Sequence, residues 1–114
     1  MELLGEGGHV TKDSIRGSSD RSILILTSLA SCPRHGYALI KDIEEFAGVK
    51  LGAGTLYGAL AKLEREGLVL ALPAEERRRP YQITAVGREH LRERLSESAR
   101  IAEVGLRRIA AASS

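Results

Sequence analysis

The 114-residue sequence contains no tryptophan, one phenylalanine and three tyrosines, so aromatics make up only 4% of it. A surface that stacks the bases of single-stranded nucleic acid needs more rings than that. There is one cysteine, Cys32, which cannot close an internal disulfide and fits a reducing, cytoplasmic setting. His9, His35 and His90 are the only histidines; with Cys32 they form neither a CxxC nor an HxxxH pair, so no metal site is expected. No strained-turn nucleophile motif is present. Gly52-Ala53-Gly54-Thr55 lacks the lysine and spacing of a phosphate loop, so neither catalytic residues nor a cofactor is expected. No apolar run approaches the ~20 residues of a membrane span, and Met1 to Gly8 lacks the basic-then-apolar pattern of a secretory leader. An excess of one charge is missing too: 17 basic against 15 acidic side chains leave +2. Any affinity for nucleic acid must therefore come from where the charge sits. A mass of 12.3 kDa is the size of one domain, which excludes a multi-domain enzyme.

The rest is the balance of a globular protein, with 43% hydrophobic and 28% charged residues. Residues 1–19 hold glycines 5, 7, 8 and 17 and serines 14, 18 and 19. They read as an arm, with one short helical turn over Val10 to Arg16, that needs a partner surface to become ordered. Asp20 is placed to cap a helix over Arg21 to Ser31, whose Ile23, Leu24, Ile25, Leu26 and Leu29 surround most of its circumference and predict burial on most sides. Pro33 ends it. A second helix is predicted from about His35 to Ala47, with Tyr37, Ile40, Ile43 and Phe46 or Ala47 at helical spacing and Gly48 as its stop. A third runs from Gly52 or Ala53 to Glu66, with Leu56, Leu60 and Leu63 as its buried stripe and Gly67 after it. Helix, short turn, helix is the outline of a helix-turn-helix.

Leu68 to Leu72 and Tyr81 to Thr84 read as two short strands around the polar loop Pro73 to Pro80. A hairpin in that place is a wing. From Thr84, placed as the N-cap, the pattern turns helical to the end, with Leu91, Leu95, Ser98, Ala102, Leu106 and Ile109 in one stripe. At ~1.5 Å per residue this helix is about 40 Å long, more than the small domain before it can cover, so its stripe calls for another chain. The expected fold is therefore mainly α with a small β-hairpin: a winged helix-turn-helix over 20–84 and a long C-terminal dimerisation helix over 85–114. The mostly apolar first helix, through Leu24, is the expected surface for the partner's helix.

On the third helix, the face opposite the leucines carries Gly54, Gly58, Ala61 and Arg65, flanked by Thr55, Tyr57 and Lys62. Small residues let a helix backbone approach a groove floor, while Thr, Tyr and Lys reach phosphates and base edges. Arg77, Arg78 and Arg79 form the densest positive cluster, suited to phosphates or a narrow minor groove. Glu75 and Glu76 offset part of that charge, and a solvated loop with local ion pairs is the plainer alternative. Tyr37 and Lys41 are within reach of backbone phosphates, with Tyr37 equally readable as a core residue with a wet hydroxyl. Cys32 reads as a half-buried structural thiol rather than a redox sensor, no basic neighbour in sequence being there to activate it.

Gly36-Tyr37 opening a helix, Gly54 to Leu60, Leu63-Glu64-Arg65-Glu66-Gly67-Leu68 and Tyr81-Gln82-Ile83-Thr84 together resemble the PadR family of winged-helix transcriptional regulators, over roughly Arg21 to Leu95. The resemblance implies a homodimeric bacterial repressor of double-stranded DNA. It places the third helix in the major groove, the wing on flanking DNA and the C-terminal helix at the dimer interface, and it suggests a small-molecule effector pocket between the two chains. Gly58 departs from the family, which often has proline there. A winged-helix module that binds protein and not DNA is the alternative from another class.

Overall fold

The computed structural model describes residues 18–113; the expected turn over Val10 to Arg16 lies outside them. Among the described residues, four helices and one hairpin follow in chain order: α1 (Ser18–Leu29), α2 (Gly36–Ala47), α3 (Ala53–Arg65), β1 (Val69–Ala71), β2 (Tyr81–Ile83) and α4 (Ala85–Ser113). The strands are antiparallel, pairing Val69 with Ile83, Leu70 with Gln82 and Ala71 with Tyr81. A further bridge joins Arg34 to Tyr81: the Arg34 amide donates to the Tyr81 carbonyl (3.1 Å) and the Tyr81 amide to the Arg34 carbonyl (2.9 Å). The wing is thus tied to the linker before α2.

The core is aliphatic. Ile25, Leu26 and Leu29 of α1, Leu39 and Ile43 of α2, Leu56, Leu60 and Leu63 of α3, Val69 and Ile83 of the hairpin, and Leu91 of α4 form one buried cluster. α1 sits at its centre, touching α2, α3, α4 and β2, as its nearly all-round apolar sequence requires. Three details differ from the sequence reading. α1 already runs from Ser18, so Asp20 lies in its first turn, where a carboxylate meets the positive end of the helix, rather than at the cap. The inward stripe of α2 is Gly36, Leu39 and Ile43, with Ala47 partly covered and Phe46 exposed; Tyr37 is 67% exposed, so it is no core residue. Cys32 is exposed rather than half-buried, because α1 ends at Leu29 and the chain turns outward before Pro33.

The carbonyls at the end of α1 are satisfied from elsewhere in the chain, as helix ends require. Arg34 Nε donates to the Ser28 carbonyl (2.9 Å) and Arg88 Nη1 to the Ala30 carbonyl (2.9 Å). The buried Ser28 hydroxyl donates to Asp42 Oδ2 (2.6 Å), and Asp42 also faces Arg34 Nε at 3.8 Å. This network fixes α2 against α1.

α3 ends in a double closure. The Leu68 amide reaches the Leu63 carbonyl (2.9 Å) and the Gly67 amide the Glu64 carbonyl (3.0 Å), with Gly67 at φ +77°, the left-handed conformation that glycine adopts at least cost. Thr84 then joins three elements. Its hydroxyl donates to the Gly67 carbonyl (2.7 Å) and accepts the Gly87 amide (2.9 Å). One side chain therefore caps α4 and holds its start to the end of α3.

Over its 29 residues α4 is about 43 Å long at ~1.5 Å per residue, and the molecule measures 57 Å along its longest axis. Its first turns pack on the core through Leu91, 5% exposed; the rest projects. Leu91 was read from the sequence as part of the stripe offered to a second chain. The structure places it in its own chain's core instead, because α1 packs against the start of the helix. Leu95 (43%), Leu106 (68%) and Ile109 (66%) stay open, as does Ala102. Ile101 is also bare, although it lies off the stripe.

Candidate nucleic-acid interface

α3 buries Leu56, Leu60 and Leu63 and turns Gly54, Thr55, Tyr57, Gly58, Ala61, Lys62 and Arg65 to solvent. The helical periodicity of the leucines forces that division. The helix runs unbroken through Gly58. Beside this face a groove of about 300 Å³ is lined by Gly54, Thr55, Gly58 and Lys62 from α3 and by Arg21 and Ser22 from α1. Arg21 is a cation at this face that the sequence reading did not place there.

Tyr57 is half exposed, at 48%, and its phenol occupies the space that a Cβ on Gly36 would need. Glycine at 36 is thus what lets the start of α2 lie against α3, and Tyr57 has a packing role besides any contact with a ligand. Lys62 pairs loosely with Glu66 (3.5 Å) on the open surface.

From α2, Tyr37 and Lys41 stand on the exposed side, the ammonium 5.8 Å from the ring centroid, a cation–π distance. The wing follows. The Leu72 amide bonds the Pro80 carbonyl (2.8 Å), and Glu75 and Arg78 exchange backbone hydrogen bonds of 2.6 and 2.9 Å around a tip in which Glu76 has φ +58°. All three arginines are exposed, but they do not act as one cluster. Arg77 is at the tip. Arg78 folds back, its Nη1 3.4 Å from His35 Nε2. Arg79 lies near enough to Tyr81 for its charge to pull that phenol's pKa down, against burial first and then the Glu64 carboxylate and the Tyr57 phenol, which together hold it above its ordinary value. Tyr81 is therefore a neutral hydroxyl at physiological pH.

The structure thus brings Gly54, Thr55, Tyr57, Gly58 and Lys62 onto one helix face and puts Tyr37, Lys41 and Arg78 around one concave surface. The contacts of Tyr57 with Gly36 and of Arg78 with His35 join the two regions. His35 is the residue that sequence reasoning missed. The sequence reading uses it only to mark the start of the second helix and to exclude a metal site, yet it is the N-cap of α2, its Nδ1 3.4 Å from the Ala38 amide. A histidine just ahead of Gly36-Tyr37 at a helix start was the available signal. Among the described residues no group of three His, Cys, Asp or Glu side chains could hold a metal ion, and no helix is long and apolar enough to cross a membrane.

Helix-turn-helix followed by a two-stranded wing defines a winged helix-turn-helix protein. Residues 25–93 match the transcriptional regulator PadR-like family. The chain belongs to that family, one of transcriptional regulators rather than enzymes. It resembles a PadR family transcription regulator from Clostridium difficile R20291 (28% identity, TM-score 0.68, covering 74% of this chain and 92% of that one) and a transcriptional regulator from Clostridium thermocellum (28% identity, TM-score 0.69, covering 83% and 93%). It is also 44% identical over 84 residues to an uncharacterized 37.1 kDa protein in transposon TN4556 of Streptomyces fradiae, matching 74% of this chain but 24% of that protein. The chain spans about a quarter of that relative's length.

Proposed function

We propose that this regulator is a homodimeric, cytoplasmic repressor that binds double-stranded DNA, with α3 in the major groove and the wing on the flanking duplex. The observation that carries the reading is the solvent face of α3: three small or hydroxylated residues, Gly54, Thr55 and Gly58, with Tyr57 and Lys62 beside them, all exposed. Such a face admits close backbone approach to a groove floor, and exposed arginines of the wing supply phosphate contacts beside it. A protein seated this way acts by occupying its site.

The projecting half of α4 supports the dimer. Leu95, Leu106 and Ile109 leave an apolar stripe bare, and a groove of about 400 Å³ between Ala30 and the Arg88-to-Ala99 face of α4 lies next to it. A second copy covering both gives a two-fold interface, across which an effector pocket would form. Two recognition helices related by that axis read an inverted repeat with half-sites about one helical turn (~10 bp) or a multiple of it apart. Selection of bound fragments from random duplex DNA tests this directly. Recovery of an inverted repeat supports the proposal. Recovery of no preferred sequence, with affinity insensitive to salt, refutes DNA binding and favours a protein-binding winged helix.

A further inference from the structure

A neutral imidazole has one nitrogen that accepts and one that donates, but His35 faces two donors. The Ala38 amide lies 3.4 Å from Nδ1 and Arg78 Nη1 lies 3.4 Å from Nε2. No protonation state serves both. If Nδ1 accepts from Ala38, the proton on Nε2 points toward a guanidinium; if Nε2 accepts from Arg78, the proton on Nδ1 meets an amide; the doubly protonated ring accepts from neither. With Nδ1 as the cap, two N–H donors from two different elements converge on one point at the surface, as they would around a shared acceptor oxygen.

The surroundings favour an anion there. The same concave surface, about 410 Å³, is also lined by Arg34, Tyr37 and Lys41, against the carboxylates of Asp42 and Glu45. Asp42 is already held by Ser28 and Arg34, which leaves Glu45, at the exposed edge, facing Lys41, Arg78 and His35.

We propose that the His35 imidazole and the Arg78 guanidinium jointly bind one phosphate oxyanion of the DNA backbone, clamping the wing to the start of α2. The inference rests on the DNA-binding reading and adds to it a residue outside α3 and the wing. With Nδ1 accepting from the Ala38 amide, the Nε2–H donates to the phosphate oxygen beside the guanidinium, and both bonds gain from the charge of the acceptor.

The test is duplex binding by fluorescence anisotropy over a range of salt for the parent, His35→Asn, Arg78→Gln and the double variant. Asparagine caps helices well but is shorter and carries no charge, and matching thermal midpoints confirm that His35→Asn folds. Arg78→Gln should reduce the salt slope by about 0.9, His35→Asn should weaken binding several-fold, and the double variant should lose less affinity than the product of the singles. Unchanged affinity in His35→Asn, or fully multiplicative losses, overturns the shared phosphate. Inorganic phosphate, followed by NMR of the His35 ring, separates the sources. A ring that responds to phosphate in a parent that binds no duplex refutes the DNA reading while supporting the oxyanion site; a ring that responds to neither overturns the site.

Discussion

Three substitutions on α3 separate holding the helix from using it. Leu60 is 1% exposed in the middle of the aliphatic core, so Leu60→Ala removes a buried isobutyl group and leaves a cavity, at a cost of ~2–5 kcal/mol. For a domain this size each 1 kcal/mol lowers the thermal midpoint by roughly 4–8 °C, so a fall of at least about 8 °C is expected. Lys62 is exposed and its pairing with Glu66 is 3.5 Å long on the open surface. Such pairs contribute ~0.3–0.5 kcal/mol, and Lys62→Ala should move the midpoint by only a few degrees while weakening duplex binding. Tyr57 falls between them. It is half exposed but covers Gly36, so Tyr57→Ala should cost about half of a full aromatic deletion, ~1.5–2.5 kcal/mol, as well as affinity. Scanning calorimetry gives the first quantity; anisotropy with a fixed duplex, well below every midpoint, gives the second. The expected order is Leu60, Tyr57, Lys62 for stability, with Lys62 and Tyr57 ahead of Leu60 for affinity. Equal destabilisation by Lys62→Ala and Leu60→Ala would refute the seating of α3 described above.

Replacing Arg77, Arg78 and Arg79 together by alanine should weaken binding to any duplex and reduce the magnitude of the log-affinity against log-salt slope by ~0.9 per lost phosphate contact; an unchanged slope removes the wing from the interface. Leu106→Glu should leave the winged domain folded, because that side chain is largely exposed in one chain, and so should Leu95→Glu, where it is a little under half exposed, but both should yield monomers or aggregates by light scattering; a parent that is monomeric at micromolar concentration removes the dimer and its symmetric operator. Glu76→Gly relieves a left-handed conformation costing ~1–2 kcal/mol against ~0.5–1 kcal/mol of added backbone freedom. The midpoint should hold or rise, and duplex binding should tighten with a carboxylate gone; a drop in both refutes the strain argument. Tyr81 is held above its ordinary pKa by burial, so the unfolded chain ionises there first. The stability this gives is present below pH ~10 and lost as pH rises beyond it. Tyr81→Phe should therefore flatten the alkaline fall in midpoint, and an unaltered alkaline limb contradicts the assignment.

The architecture was legible from the sequence because its signals are local. Leucines at helical spacing, Gly48 and Gly67 after two helices, and prolines bounding the wing loop each act within a few residues of themselves. What escaped depends on chain distant in sequence. The bridge from Arg34 to Tyr81 pairs an isolated residue with a strand 47 positions on, and no periodicity marks one residue. Leu91 carries the same heptad-like spacing as Leu95, and only how far α1 lies along α4 decides which of them is buried. In α2 the apolar positions allow two neighbouring faces; the contact of Gly36 with Tyr57 selects the one that leaves Tyr37 outside. The role of His35 depends on where the wing folds back, which its own neighbours do not record.

The hydroxyl of Thr84, shared between the end of α3 and the start of α4, makes the long helix a sighting rod for the short one. At ~43 Å, a sideways shift of 1 Å at the far end corresponds to a turn of only about 1.3° at the near end. Contacts that hold the tip to within an ångström therefore fix the bearing of α3 to about a degree. In the proposed dimer on DNA, accuracy of aim is set farthest from the target, and a loose tip would blur the spacing between two half-sites without disturbing a single residue of α3.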